Sequence, residues 1–316
     1  MIFEPVFCCP ISGAGRFRKF MRTIVILLLL AFSLHATASD SLKAENIRIN
    51  RVHLFMGGSY VLSFTALYQL WYKDQTGAAF RFFNDNTEWL GMDKAGHFGT
   101  AWYLGCRSRE LYQRAGMKGH SLNWLGTASG MFYLTAIELL DGFSNGWGFS
   151  PGDMLANLGG YSLASLQYSL WDEQRFRVAF SFSPGPWAAY RPDLLGRNTL
   201  SQLMKDYNAQ TYWLAFSPAS FFNTGKVWPA WLDLSLGYSV DGLLGGRSNN
   251  WVKDGIQWDY STIQRRQEWL IGLDVNLQKI PIHKPWFKTF ARWFGFIHIP
   301  GPAYNFSTRK FHPFYY

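Results

Sequence analysis

The sequence lacks several features that would define its class at once. Its only cysteines are Cys8, Cys9 and Cys106, and none of them closely follows the apolar N-terminal run, so the lipid-attachment site of bacterial lipoproteins is missing. No Lys/Arg-rich run stands out, which argues against nucleic acid as a partner. The apolar N-terminal run is also shorter than the roughly 20 residues that cross a bilayer.

The N-terminal segment nevertheless predicts export. A basic stretch precedes an apolar run over residues 24–34, and Ala36-Thr37-Ala38 then gives a small-x-small cleavage pattern. This order is typical of a secretory signal peptide over residues 1–38. An uncleaved N-terminal anchor is the alternative. Because the signal is complete from Met21, residues 1–20 are interpreted as an extension added by a misplaced start.

Removal of residues 1–38 would leave Cys106 alone, so no disulfide could form within the mature chain in an oxidising compartment. The chain stays mildly basic, which suits an anionic membrane surface. Aromatic residues make up 18% of the sequence, and this density suits membrane-interface belts as well as an ordinary core. We therefore expect a membrane surface or the outer membrane as partner, together with an envelope protein, and no cofactor.

The first half predicts a helical domain over residues 39–171. Its apolar helices number about four and cover residues 52–72, 94–113, 122–141 and 151–171. The first of these carries no formal charge with a neutral histidine, which is typical of a membrane span or of a fully buried helix. Small residues that let helix backbones approach recur at a spacing of four: Gly126, Gly130, Ala156, Gly160 and Ala164.

The second half predicts an antiparallel β-rich domain over residues 209–316, after a linker at 172–208. Apolar residues alternate most clearly over 231–240 and 268–278, as in half-exposed strands. Weaker candidates cover 177–183, 209–216, 294–299 and 303–308. The predicted fold class is α+β. A partial or small outer-membrane barrel and a sheet packed on the helices both remain open.

Polar side chains collect at the ends of the apolar helices. Asp93 and His97 lie four residues apart, as do Asp153 and Asn157, so each pair shares a helix face. Because a buried charge is costly unless it is paired, we expect these ends to meet in one interior cluster. Its candidate catalytic members are Asp93, Lys94, His97, Glu138, Asp141 and Asp153, and Ser150 and Asn157 complete the polar cluster. Ser150 followed by Pro151 also matches a helix N-cap.

At these residues the chain resembles the YfiM-like family of predicted periplasmic lipoproteins, a domain of unknown function. The resemblance covers about residues 88–170 and rests on Asp-Lys-x-x-His-Phe, Glu-x-x-Asp and Phe-Ser-x-x-Asp-Met. The family positions here are Asp93, Lys94, His97, Phe98, Glu138, Asp141, Ser150, Asp153 and Gly160. More distantly, the chain is similar to VanZ-like membrane proteins. It departs from the family in lacking the lipidated cysteine and in carrying a β-rich extension.

Three functions remain open. The first is a structural or interaction protein of the cell envelope, associated with the outer membrane, in which the polar cluster fixes helix packing. The second is a hydrolase or transferase that acts on a lipid-linked or cell-wall substrate, with the cluster as an acid–base set or as hard-metal ligands. The third is a multi-span inner-membrane protein of the VanZ-like type, although the strands fit it poorly.

Overall fold

The computed structural model describes residues 40–73, 75, 77–222 and 227–316, so the predicted signal peptide lies outside the described residues. The helices of the first half are α1 Asp40–Leu67, α2 Met92–Ala115, α3 Gly119–Trp124, α4 Ser129–Gly142 and α5 Pro151–Trp171. A π-helical turn at Tyr68–Tyr72 continues α1. The predicted helices at 94–113 and 151–171 are confirmed as α2 and α5.

The third predicted helix, at 122–141, is broken into α3 and α4. The break lies where Gly126 and Thr127 approach α2: the Ser108 hydroxyl donates to the Gly126 carbonyl at 2.5 Å. A Cβ on Gly105 in α2 would lie only 2.9 Å from the Thr127 carbonyl oxygen. Apolar periodicity continues through the turn, which is why the sequence reads as one helix.

Close backbone contact makes α2 the central helix of this half. A Cβ on Gly160 of α5 would lie 2.1 Å from the carbonyl oxygen of Phe98, and one on Gly130 of α4 would lie 2.6 Å from that of Ala101. Two of the small residues seen in the sequence therefore serve as contact points with α2. Within the described part of the chain, no helix has both the length and the apolar character needed to cross a membrane.

Among its described residues, the second half contributes three further helices and eight strands. The helices are α6 Pro192–Leu195, α7 Thr199–Lys205 and α8 Pro285–Phe294. The strands are β1 Phe176–Phe182, β2 Gln210–Phe216, β3 Leu232–Asp241, β4 Asn250–Lys253, β5 Ile256–Asp259, β6 Arg266–Val275, β7 Gly301–Asn305 and β8 Lys310–Tyr315. The α+β class is thus confirmed.

Six strands form one antiparallel sheet in the order β1-β2-β3-β6-β7-β8, and β4 and β5 form a separate hairpin. β1 lies inside the segment predicted as a linker and pairs with β2 along its whole length. The weak candidate at 294–299 is not a strand: it follows α8 and contributes a single bridge, from Ile297 to Phe180. The division into domains stays a prediction.

The two faces of this sheet have an unexpected polarity. The polar residues of the alternating strands are the buried ones: Glu268 is 9% exposed and Asp274 is 1% exposed. Their apolar neighbours Trp269 and Ile271 are 47% and 46% exposed. We call the face that carries Glu268 and Asp274 the inner face, and the face that carries Trp269 and Ile271 the outer face. The sheet curls over its inner face, so that Tyr315 in β8 contacts the Trp213 ring in β2.

A buried ion network fills part of the inner face. The Arg177 guanidinium donates to Asp274 at 2.7 Å and to Asp233 at 3.2 Å, and to the Gly295 carbonyl at 2.8 Å. All three side chains are at most 4% exposed. Burial alone would raise the pKa of Asp274, but Arg177 and His298 hold it below its usual value. The network explains how a sheet can bury charges on this side.

Candidate functional site

The start of α2 is built in an unusual backbone conformation. Trp89 and Leu90 have φ of 50° and 52°, and Gly91 follows at 81°. Bulky residues rarely adopt positive φ, and here their positions are fixed from outside. The Trp89 amide donates to the Gly246 carbonyl at 2.7 Å, and the Tyr238 hydroxyl of β3 donates to the Leu90 carbonyl. The sheet and its loops therefore set the direction in which α2 begins.

The ammonium of Lys94, in the first turn of α2, lies among three carboxylates. Its Nζ is 2.5 Å from Asp85 Oδ1, 2.9 Å from Asp93 Oδ2 and 3.0 Å from Asp153 Oδ1. Burial opposes the charge of Lys94, but these carboxylates raise the pKa of its ammonium above the usual value. Lys94 is therefore cationic at neutral pH and links α2 with α5 and with the preceding loop.

Ser150 caps α5 and connects it to two acids. Its hydroxyl accepts from the Asp153 amide at 3.1 Å and donates to Asp85 Oδ1 at 2.7 Å. Its own amide donates at 2.9 Å to Glu138 Oε2, which reaches over from α4. In an ordinary capping box this amide is satisfied by the third helical residue. Here Glu138 accepts from this amide instead, so the Asp153 carboxylate can contact the Lys94 ammonium.

His97 lies one turn after Asp93 and faces both α4 and α5. Its Nδ1 is 3.0 Å from Asn157 Oδ1. Its Nε2 is 3.6 Å from Glu138 Oε1 and 4.0 Å from Asp153 Oδ1. Because Asn157 is fully buried and orients the ring through Nδ1, Nε2 is directed toward the two acids.

The cluster holds more carboxylates than cations, and burial shifts their protonation. Burial is the largest cause that raises the pKa of Glu138 to about 8, and the neighbouring acids Asp153 and Asp141 add to it. Burial likewise raises the pKa of Asp141 to about 7, against a hydrogen bond from the Tyr72 hydroxyl. Burial raises the pKa of Asp153 to about 6, opposed by His97. Several of these acids thus titrate near neutral pH, where proton transfer is effective.

A cavity of about 300 Å³ opens onto the α2 side of the cluster. Asp93, Gly96 and His97 line it from α2, and Tyr207, Gln210 and Tyr212 line it from the sheet side. A larger cavity of about 630 Å³ lies beside it between α2, β1 and the segment after α8. The two share four lining residues, namely Thr100, Phe180, Leu203 and Tyr212.

The chain between the loop before α2 and the end of α5 carries every residue of this cluster except Tyr72. Residues 81–169 match the DUF2279 family. That family is described as a predicted periplasmic lipoprotein. The predicted resemblance to this family is confirmed for the matched segment, while the likeness to VanZ-like proteins stays a prediction. No curated protein and no solved structure matches the chain.

The family description agrees with an envelope location, and the predicted periplasmic address is supported to that extent. The sheet lies outside the DUF2279 segment, because β1 begins at Phe176, after the matched residues. The description covers neither the outer membrane nor any reaction. The association with the outer membrane and the catalytic role both stay predictions.

The DUF2279 segment brings the sequence-predicted polar residues together. The contacts above join seven of them: Asp93, Lys94, His97, Glu138, Ser150, Asp153 and Asn157. Asp141 also lies in the segment, but its side chain accepts from the Tyr72 hydroxyl at 2.6 Å and acts on Glu138 only through its charge. Whether any of them is catalytic stays a prediction.

Two members were missed from the sequence, Asp85 and Tyr72. Asp85 lies in a loop whose residues pair with the chain just before Ser150: the Phe83 amide donates to the Phe149 carbonyl at 2.9 Å. In the sequence, Asn84-Asp85-Asn86 looks like an ordinary turn. The sequence feature that could have indicated Asp85 is its place in a polar segment shortly before α2.

Part of the cluster has the donors of a metal site. One ligand atom each from His97, Glu138 and Asp153 lie within 4.8 Å of one another. Ligand atoms of Asp85, Asp93 and Asp153 also lie within 4.8 Å of one another, but the Lys94 ammonium already lies among them. In the set containing His97, the Lys94 ammonium contacts only Asp153, at 3.0 Å, so this set fits a divalent cation better than the three aspartates do.

Proposed function

We propose that the protein is an exported structural or interaction protein of the cell envelope that associates with the outer membrane through the outer face of its sheet. The supporting observation is the inverted polarity of that sheet. Outer-membrane β-proteins direct apolar side chains to lipid and polar side chains inward. The same arrangement in water would leave a costly apolar surface exposed.

The register of the strands aligns the apolar residues of the outer face into a row. Leu214 pairs with Leu236, and Leu236 pairs with Ile271. Ile271 pairs with Tyr304, which in turn pairs with Phe311. Leu214, Leu236, Ile271 and Phe311 are 42%, 47%, 46% and 63% exposed. A continuous apolar row across five strands is a surface that lipid would cover.

Helix α8 supplies independent support. Trp286, Phe290 and Trp293 are 66%, 44% and 42% exposed, while Lys288 and Arg292 belong to the same helix. Aromatic residues on one side of a helix and basic residues on the other are typical of helices that lie in a membrane interface. The mild positive charge of the chain suits anionic headgroups.

Flotation with vesicles of phosphatidylethanolamine and phosphatidylglycerol tests the proposal. A glutamate at Leu236 or Ile271 should lower the vesicle-bound fraction about tenfold, since a charge on a lipid-facing strand costs roughly 1–4 kcal/mol. Gln257→Glu, on the exposed hairpin strand β5, is the matched control and should float like the wild type. Fractionation of cell envelopes then separates outer from inner membrane. Equal flotation of folded Leu236→Glu and wild-type protein would refute the proposal.

A second candidate function is a hydrolase or transferase acting on a lipid-linked or cell-wall substrate. It is favoured by His97, whose Nε2 lies 3.6 Å from Glu138, at the wall of a cavity. With a pKa of about 8, Glu138 holds a proton at neutral pH and could act as the acid. His97 would then act as the base toward water or a substrate hydroxyl.

Turnover of lipid-linked and cell-wall substrates by purified protein tests this candidate. Glu138→Gln and His97→Gln should each lower the rate at least a hundredfold, the lower range for loss of an acid–base group. Measurement of bound metal in wild type, His97→Ala and Asp93→Asn decides whether a cation takes part. If the wild-type protein turns over no such substrate, the result contradicts the enzymatic function and favours the structural or interaction function proposed first.

A further inference from the structure

The two cavities beside α2 adjoin each other, and together, as the joined cavity, they have an apolar end and a polar end. Four residues border both, and among them Phe180 and Tyr212 present rings while Thr100 lies exposed on α2. A ligand that passes between these four residues would reach from the larger cavity to the wall formed by Asp93 and His97. A ligand that fills it must be apolar along one part and polar at one end.

The larger cavity suits a hydrocarbon chain. Its wall is formed mainly by apolar and aromatic side chains, including Tyr103, Val178, Phe182, Phe296 and Ile297. Its volume of about 630 Å³ lies within the range of roughly 300–1,000 Å³ for small-molecule sites. An apolar ligand in this cavity would bury both its own apolar surface and that of the wall.

The polar end favours a headgroup that donates hydrogen bonds or carries positive charge. Asp93 and His97 line that end, and the acids behind them outnumber the single ammonium of Lys94. A primary amine would be attracted by this excess of carboxylates. A headgroup without a cation would lack this electrostatic attraction to the carboxylates.

The larger cavity also lies next to helix α8, which we propose contacts the membrane. The Tyr103 hydroxyl donates to the Trp293 carbonyl of α8 at 2.9 Å, and Phe296 and Ile297, which line the cavity, directly follow α8. A lipid that left a bilayer at α8 would thus meet the apolar end of the site first.

We propose that the joined cavity binds a single-chain amphiphile with an amine-bearing headgroup, its hydrocarbon chain between Tyr103 and Phe296 and its headgroup at Asp93 and His97. The proposal rests on the second candidate function, whose substrate class it names as a membrane lipid. Binding at this site needs neither the acid Glu138 nor the exposed apolar row at Leu236 and Ile271, which do not line either cavity.

Calorimetric titration with lauroyl lysophosphatidylethanolamine below its micelle concentration tests the site. We expect saturable binding by wild type, and no binding of glycerophosphoethanolamine, which has the headgroup without the chain. Thr100→Trp places bulk where the cavities join and should weaken binding at least tenfold. Arg114→Trp, also exposed on α2 but distant from both cavities, is the matched control and should bind like wild type.

If Thr100→Trp does not fold, Leu203→Trp in α7 also places a bulky ring between the two cavities and should weaken lysolipid binding to the same extent. Glu138→Gln and Leu236→Glu should both keep lysolipid binding, which separates this site from catalysis and from membrane association. Lauroyl phosphatidylglycerol in its lyso form should bind at least tenfold more weakly than the ethanolamine lipid. Absence of wild-type binding, or equal binding by folded Thr100→Trp and Arg114→Trp, would overturn the proposal.

Discussion

Lys94 Nζ lies 2.5 Å from Asp85 Oδ1, and this contact ties the loop before α2 to the helix itself. Lys94→Met should destabilise the protein by about 2–4 kcal/mol, because it leaves Asp85, Asp93 and Asp153 without their shared cation. Lys253→Met removes an exposed pair with Asp193 and should cost at most about 1 kcal/mol. Urea unfolding measures both; equal losses would contradict the role given to Lys94.

The raised pKa of Glu138 predicts a stability that declines with rising pH. Below its ordinary pKa of 4.5 the acid is protonated in both states, whereas up to about pH 8 the folded chain keeps a proton that the unfolded chain releases. Wild type should therefore lose up to about 1.4 kcal/mol per pH unit relative to Glu138→Gln across this window. Melting curves from pH 5 to 8 would show the two diverging.

Glu173→Gln, at a 42% exposed carboxylate, controls for the loss of one negative charge. Its stability should run parallel to that of wild type over the same pH range. Parallel curves for Glu138→Gln and wild type would mean that Glu138 ionises in the folded protein as it does in the unfolded chain.

The inner-face network predicts a large cost for removing Arg177. Arg177→Met leaves Asp233 and Asp274 buried without a cation and should destabilise the protein by about 3–5 kcal/mol. Arg114→Met, which removes an exposed partner of Glu110, should cost at most about 1 kcal/mol. Chemical denaturation compares the two, and a small loss for Arg177→Met would show that solvent reaches the inner face.

Helix α8 predicts a salt-sensitive contribution to vesicle binding. The double variant Trp286→Ala/Trp293→Ala should weaken binding to anionic vesicles about tenfold, or ~1.4 kcal/mol. Trp258→Ala, at a 40% exposed residue of the hairpin, is the matched control. Added salt should weaken wild-type binding, since basic residues attract the headgroups. If the double variant and the control bind alike, α8 does not contact lipid.

Local patterns predicted α2, α5 and the strongest strands, whereas the helix predicted at 52–72 begins already at Asp40 and the one at 122–141 is broken. The cap at Ser150 was visible because serine followed by proline has a local physical meaning. The spacing of Asp93 and His97 and that of Asp153 and Asn157 placed each pair on one helix face. These features depend on neighbours in the chain, and sequence contains such information directly.

The meeting of the polar helix ends was predicted from the cost of buried charge, but other features that depend on distant residues were not. Alternation in β6 located the strand, but which face would be buried depends on Arg177, nearly a hundred residues earlier, as partner of Asp274. The place of Asp85 depends on pairing beside Phe149. The break before α4 occurs at Gly126 and Thr127, where the chain contacts α2, and a single glycine does not by itself predict the end of a helix.

Tyr238 lies on the outer face of the sheet beside Trp269, their ring centroids 4.8 Å apart. Its hydroxyl also holds the carbonyl of Leu90, just ahead of Asp93. One aromatic side chain thus connects the outer face of the sheet with the start of α2. If the outer face binds a bilayer, this contact would fix the distance and the angle between the acidic cluster and the lipid headgroups.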